Sequence, residues 1–101
     1  MNGRYILVDR KPVPEPDLLK WAAWIKDREK SIVAQTEIGN IFVSTIFLGL
    51  DYNFLGNGEP ILFETMAFKG GESLDIQERC CTWEQAEAQH RLVVDSLVVH
   101  N

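Results

Sequence analysis

The segment TWEQAEAQHRLVVDSLV, residues 82–98, decides the fold because it joins a helix start to a one-sided apolar repeat. In Thr82-x-x-Gln85 the hydroxyl can accept from the amide three residues on, while the Gln85 side chain can reach back to the Thr82 amide. Apolar side chains then recur with the 3.6-residue period of an amphipathic helix. We therefore predict a helix from about residue 83 to residue 98, with one face buried.

His90 lies within the apolar face of this helix, whose other members are Trp83, Ala86, Val93, Val94 and Leu97. Histidine is the side chain whose charge ordinarily changes near neutral pH. We predict that His90 packs against a sheet as a core residue, and a catalytic role is the alternative. The second histidine, His100, is expected to be frayed rather than catalytic.

Before this helix, the repeat of apolar side chains changes from the helical period to that of β-strands. Residues 32–38 and 41–48 are rich in β-branched and aromatic side chains, and Gly39-Asn40 between them is a two-residue hairpin signal. A third strand is expected at residues 61–68 and a short fourth at 78–81. Nearer the start, we expect a short strand at 4–8, a stiff proline-rich connector at 12–16 and a first helix at 16–29.

This order of elements predicts an α+β fold. We expect an antiparallel sheet of three to five strands with two helices packed on one face, in the order β-α-β-β-β-β-α. Residues 1–101 are expected to form a single domain, which is large enough to fold without a disulfide or a metal. In an alternative topology the first strand lies parallel to a neighbour through a crossover helix.

Composition narrows the range of partners. The net charge of -5 and the scattered basic residues argue against nucleic-acid binding. No apolar run could cross a bilayer, and no signal-peptide core follows the first residues, so we expect a cytoplasmic protein. Cys80 and Cys81 are adjacent and are expected to be reduced thiols. No spacing predicts a metal site or a cofactor.

Three ionisable residues are the candidates for a catalytic or ligand-binding site: Asp51, Glu64 and His90. Glu64 lies in the third predicted strand, where both faces carry apolar side chains. A buried carboxylate there could form an acid/base couple with His90. The alternative is a hydrogen-bonded or solvent-facing glutamate in a sheet.

Trp24 and the loop of residues 49–60 are the candidates for protein binding. Trp24 either packs with Trp21 against the sheet or forms a partly exposed aromatic anchor. The loop joins two strands and offers oxygen and aromatic groups, although its spacing does not fit a calcium-binding loop. We also consider a wide loop in which Phe54 and Leu55 fold back onto the core. The candidate binding residues are Trp24, Asp51, Tyr52, Asn53 and Phe54.

A set of short runs spread over most of the chain carries a resemblance. The runs are residues 5–7, 14–19, 21–24, 33–36, 43–51, 62–66 and 82–86, with His90. Together they resemble a family of small uncharacterised proteins encoded in bacteriophage and prophage genomes. Members often have a histidine at the position of Tyr52. The resemblance implies a phage protein in the bacterial cytoplasm but no established activity.

Three functional hypotheses follow. The first is a non-enzymatic, phage-encoded accessory protein that binds a host or phage protein, for example to inhibit a host defence complex. The second is a small enzyme or ligand-binding domain with a site around Asp51, Glu64 and His90. The third is a structural or assembly role, including a homodimer formed through an exposed sheet edge.

Overall fold

A four-stranded antiparallel sheet forms the centre of the fold. The computed structural model describes residues 3–99, and in it the strands follow one another in the order β3-β4-β5-β6. Gly39, with a φ of 61°, begins the tight turn between the first two of these strands, as the hairpin signal predicts. The strands are β3 (Ile32–Ile38), β4 (Ile41–Phe47), β5 (Phe63–Lys69) and β6 (Glu72–Cys80).

The first strand does not join this sheet. Among the described residues, β1 (Tyr5–Val8) pairs with β2 (Lys11–Pro14) and with no other strand, and the two form a separate antiparallel hairpin. A single antiparallel bridge between Arg4 and Leu50 lies at its start. The prediction of a stiff proline-rich connector was wrong for residues 12–14, which belong to a strand. Proline has no backbone N–H to donate, and Pro12 and Pro14 are two residues apart, so both missing donors face the same edge of β2. The N–H groups of the residues between them face the other edge, which can therefore pair with β1.

Helix α1 (Leu18–Lys26) is shorter than predicted because Asp17 caps it. The Asp17 carboxylate accepts hydrogen bonds from the amides of Leu19 and Lys20, at 3.0 and 3.2 Å. A short 3₁₀ helix (Arg28–Ser31) follows. The half-buried side of α1 carries Trp21 and Trp24, whereas Leu18 at the start of the helix is exposed.

Helix α2 (Trp83–Val99) begins as the sequence predicts. The backbone amide of Gln85 donates to the Thr82 hydroxyl at 3.1 Å, and the side-chain oxygen of Gln85 accepts from the backbone amide of Thr82 at 3.2 Å. The helix contacts all four strands of the sheet. Its buried residues include His90 and Val93, which lie on the predicted face.

The sheet face beneath α2, here called the inner face, carries the core. Its central residues are Val43, Thr45 and Phe47 on β4 and Phe63, Thr65 and Ala67 on β5, which are all buried. The ring of Trp24 from α1 packs edge-on against Phe47 with centroids 5.7 Å apart. Both helices therefore contribute to the same side of the sheet, and the α+β prediction is confirmed.

Gly49 joins the hairpin and α1 to the end of β4. Its carbonyl accepts from the Tyr5 amide at 2.8 Å and from the Trp21 indole at 3.0 Å. Its φ is 78°, and a Cβ there would lie 2.6 Å from the Ile25 side chain. Only glycine fits this junction without a shift of the packing.

Among the described residues, no helix is long and apolar enough to span a membrane.

Candidate functional site

The second sheet face, here called the outer face, mixes large apolar side chains with polar and charged ones, and among the described residues no layer of helices covers it. Its apolar side chains are half-buried rather than buried, because α2 lies on the inner face and α1 borders only the end near Ile46. Phe42 and Phe68 are direct cross-strand partners on this face. The outer face consists of Gln35, Glu37, Phe42, Ser44, Ile46, Glu64, Met66, Phe68, Gln77 and Arg79.

Glu64 is buried within the outer face by its own partners. Its carboxylate accepts from the Arg79 guanidinium at 2.9 Å and from the Gln77 side chain at 3.0 Å. The Arg79 guanidinium also lies over the ring of Tyr52, 4.7 Å from the centroid. Glu64 therefore holds Arg79 in place and connects the sheet to the adjoining loop.

The loop between β4 and β5 is closed by two of the predicted binding residues. The Asp51 carboxylate accepts from the amides of Asn53 and Ile61, at 2.7 and 3.0 Å. The Asn53 side chain donates to the carbonyls of Asn57 and Glu59. These hydrogen bonds fix the conformation of the loop, so Asp51 and Asn53 position its other residues, including Tyr52 and Phe54.

The tip of this loop projects two large apolar side chains into solvent. Phe54 is 74 % exposed and Leu55 is 88 % exposed. The hypothesis that both fold back onto the core was therefore wrong. The Tyr52 ring meets Phe54 edge-on at 5.8 Å, which connects the tip to Arg79 and the outer face. Folding back is unnecessary because the Asp51 and Asn53 hydrogen bonds already stabilise the loop.

A cavity of about 760 Å³ borders the outer face where α1 and the 3₁₀ helix meet β3 and β4. Apolar side chains including Ile25 and Ile46 line it, and Lys26 and Arg28 lie at its rim. Protein interfaces commonly place an anchor side chain into such a pocket. The outer face, the loop tip and this cavity together form the candidate binding surface.

His90 occupies a polar network on the inner face. Its Nε2 lies 2.8 Å from the Thr36 hydroxyl, and its Nδ1 lies 2.8 Å from the Thr45 hydroxyl. The Thr45 and Thr65 hydroxyls are 2.6 Å apart, and the Gln89 amide donates to Thr65 at 2.9 Å. The network thus satisfies buried polar groups between α2 and the sheet.

One arrangement of donors and acceptors satisfies every group in this network. The Gln89 side chain donates to Thr65, Thr65 donates to Thr45, Thr45 donates to Nδ1, and Nε2 donates to Thr36, so the imidazole is neutral in this arrangement. Burial lowers the pKa of His90 below its ordinary value, which favours the neutral form.

His90 touches only a small groove at the edge of the sheet. The groove measures about 250 Å³ and is lined also by Glu87 and Arg91 of α2. The ring is only 6 % exposed, and both nitrogens are engaged by threonine hydroxyls. This environment is that of a packed core histidine, as the first interpretation of the sequence predicts.

The three catalytic candidates do not converge on one site. Thr65 faces His90 through Thr45, and adjacent residues of a strand point to opposite faces, so Glu64 lies on the other side of the sheet from His90. Asp51 belongs to the loop framework. Trp24, the remaining binding candidate, packs in the inner core.

The two cysteines do not form a nucleophilic pair with His90. Burial, and to a smaller extent the neighbouring Cys81, raises the pKa of Cys80 to about 11. Burial, Glu59 and Asp51 raise the pKa of Cys81. Both are free thiols, and they stay protonated at neutral pH. Within residues 3–99 no group of three or more His, Cys, Asp or Glu side chains is placed to hold a metal ion.

Sequence reasoning missed most of the outer face. Phe42, Ile46, Met66 and Phe68 look like ordinary strand residues, since apolar side chains also lie on the opposite face. The available signal was that large apolar side chains occur on both faces of the sheet, although two helices suffice to cover only one.

Comparison with protein-family models, curated proteins and solved structures finds no match for this chain.

Proposed function

We propose that this chain is a non-enzymatic protein-binding module, encoded by a phage or prophage, whose outer face and loop tip bind a host or phage protein. The observation that carries the proposal is the exposed pair Phe54 and Leu55 at the loop tip, which adjoins the half-buried apolar side chains of the outer face. Exposed apolar side chains grouped within a polar surround commonly mark an interaction site.

The fixed geometry of this surface supports the same function. Glu64 orients Arg79, Arg79 lies on Tyr52, and Tyr52 meets Phe54, so the aromatic side chains at one end of the surface form a connected set. Aromatic residues and arginine are enriched among residues that dominate interface energies. A surface held in this way loses little conformational freedom on binding.

The site hypothesis based on Asp51, Glu64 and His90 receives no comparable support. Its two central groups lie on opposite sides of the sheet, and His90 is hydrogen-bonded on both ring nitrogens. Inhibition of a host defence complex is one form that the proposed binding would take. A homodimer joined through two outer faces is the competing arrangement.

Position-specific photo-crosslinking in the bacterial host tests the proposal. A photoreactive phenylalanine analogue would replace Phe54 or Phe68, which changes the side-chain shape little, and Leu19 would serve as the control because it is 80 % exposed on α1. We expect one protein to be crosslinked from Phe54 and Phe68 but not from Leu19. Equal crosslinking from Leu19, crosslinking only to a second copy, or none from either phenylalanine would contradict the proposal.

A further inference from the structure

The cavity where α1 and the 3₁₀ helix meet β3 and β4, here called the end cavity, differs in charge from two other grooves of the molecule. Lys26 and Arg28 line it, and among the described residues that line it there is no carboxylate. The two grooves beside α2 each combine one carboxylate with one guanidinium, namely Glu78 with Arg79 and Glu87 with Arg91. The end cavity therefore presents charges of one sign only, and that sign is opposite to the net charge of -5 of the chain.

No neighbouring carboxylate neutralises the two cations of the end cavity. Within residues 3–99, neither Lys26 nor Arg28 takes part in an ion pair. Asp27 lies between them in the sequence but does not line the cavity; its carboxylate instead accepts from the Glu29 amide at 3.3 Å and caps the 3₁₀ helix. A cleft lined by charges of one sign attracts ligands of the other sign, so the end cavity favours an anion.

Ser31 adds a buried hydroxyl to the wall of the end cavity. The residue is only 6 % exposed, and its Oγ has no hydrogen-bond partner among the described residues. A buried polar atom without a partner costs free energy, and most such atoms in folded proteins are paired. Because a hydroxyl can donate to an anionic oxygen, a carboxylate bound in the cavity would supply the missing partner.

Most of the remaining wall of the end cavity is apolar. Ile32 and Ile46 are cross-strand partners, so their branched side chains lie side by side. The cavity volume of about 760 Å³ lies within the range of about 300–1,000 Å³ typical of small-molecule sites, which combine apolar walls with a few polar groups that fix orientation. The half-buried apolar residues that line the cavity are Ile25, Ile32, Ile46 and Leu48.

We propose that the end cavity binds a small amphipathic anion, namely a carboxylate attached to a short apolar chain. The carboxylate lies near Lys26, Arg28 and the Ser31 hydroxyl, where charge-assisted hydrogen bonds hold it. The apolar chain packs against Ile32 and Ile46. This inference goes beyond the proposed function, because a free anion binds here whether or not a partner protein occupies the outer face.

Titration of the protein with octanoate, below the concentration at which it forms micelles, tests the proposal by amide NMR. We expect saturable shifts that are largest in residues 25–32 and 44–48, which adjoin the cavity. Octylammonium has the same chain with the opposite charge and should bind at least about tenfold more weakly. Acetate lacks the chain and should bind at least about a hundredfold more weakly, since each buried CH₂ group adds about fourfold in affinity.

Two charge-matched double variants separate the end cavity from general electrostatic attraction. Lys26→Gln/Arg28→Gln removes both cations that line the cavity. Lys20→Gln/Lys30→Gln removes two cations from the same two helices, but neither of these lines the cavity. The first variant should weaken octanoate binding by about tenfold and the second by less than about twofold.

Ser31→Ala tests the role of the buried hydroxyl. It should weaken octanoate binding by about threefold, while the Tm without octanoate should be no lower than that of the wild type, because an unpaired buried hydroxyl is removed. Equal binding of octanoate and octylammonium, equal binding of octanoate and acetate, equal effects of the two double variants, or shifts centred on Phe42 and Phe68 would overturn the proposal. None of these results alters the crosslinks expected from Phe54, so the two proposals fail separately.

Discussion

The inner and outer faces of the sheet both carry phenylalanine side chains but differ in what covers them. On the inner face Phe47 and Phe63 are completely buried beneath the helices. On the outer face Phe42, Met66 and Phe68 lie among polar side chains and are only half-buried. The phenylalanines alone do not distinguish the two faces, because they occur at alternating positions of the same strands. The difference teaches that apolar side chains left without a covering layer are a better basis for our proposed function than the buried ionisable residue.

Each face also contains one buried ionisable residue, and the two are stabilised in different ways. His90 on the inner face is engaged by two threonine hydroxyls and stays neutral. Glu64 on the outer face is paired with Arg79. The first arrangement connects two layers of the core, whereas the second orders residues at the surface. We expect substitutions at the two sites to differ accordingly.

The largest expected difference between the faces is in core packing. Phe47→Ala should lower the free energy of unfolding by about 3–5 kcal/mol, because it leaves a cavity among Trp24 and Phe63. Phe68→Ala should cost about 1–2 kcal/mol, since that ring is only half-buried. Chemical denaturation of both variants measures the difference. Equal losses would show that the outer face is as tightly packed as the core.

Acid should destabilise the protein through the inner face. The pKa of His90 is lowered by folding, so below about pH 6.5 the unfolded chain binds more protons than the folded chain. The contribution of neutral His90 to the free energy of unfolding is therefore complete above about pH 6.5. It is lost as the pH falls towards the folded-state pKa, by at most about 1.4 kcal/mol per pH unit.

His90→Gln is the matched control for this titration. It removes the proton equilibrium but keeps a side chain that can donate and accept hydrogen bonds. Subtracting its unfolding free energy from that of the wild type, between about pH 7.5 and 5.5, cancels the contribution of the other groups. A difference that does not change with pH would mean that His90 titrates alike in both states.

The ion pair of the outer face is expected to contribute less to stability than the packing of Phe47 does. Arg79→Ala should cost about 1–2 kcal/mol, because it leaves the buried Glu64 carboxylate without its cation and removes the contact with Tyr52. Adding Glu64→Gln should restore part of the loss, since no unpaired charge then remains. Thermal unfolding of the single and double variants checks this. A double variant less stable than Arg79→Ala would contradict the interpretation of Glu64.

Local signals in the sequence predicted the helices and strands better than they predicted the surfaces. The Thr82 and Gln85 cap and the buried stripe of α2 depend on residues a few positions apart, and both are confirmed. The pairing of Glu64 with Arg79 depends on the register of two strands, which residue spacing does not determine. The hairpin of β1 and β2 was missed because prolines disfavour strands except along an unpaired edge.

The same limit applies to the candidate binding residues. Tyr52 and Phe54 were chosen as candidates because they lie in a long loop between strands. Trp24 was ambiguous, because a tryptophan at the margin of an apolar stripe fits both a core and an interface, and only the contact with Phe47 decides between them. The predicted start of the last strand, at residue 78, was also wrong, because β6 begins at Glu72. The bulge at Asp75 interrupts the alternation of apolar and polar side chains that would have indicated the earlier start.

The most direct test of the account compares binding and stability in two variants. Phe42→Thr/Phe68→Thr alters the outer face while keeping strand-forming residues, and His90→Gln alters the inner face. The partner identified by crosslinking would be titrated with each folded protein, and unfolding would be measured in parallel. We predict that the outer-face variant loses partner binding for a stability cost of about 2–3 kcal/mol, while His90→Gln binds normally despite its lower stability. Wild-type affinity in the outer-face variant, or lost affinity in folded His90→Gln, would contradict the account.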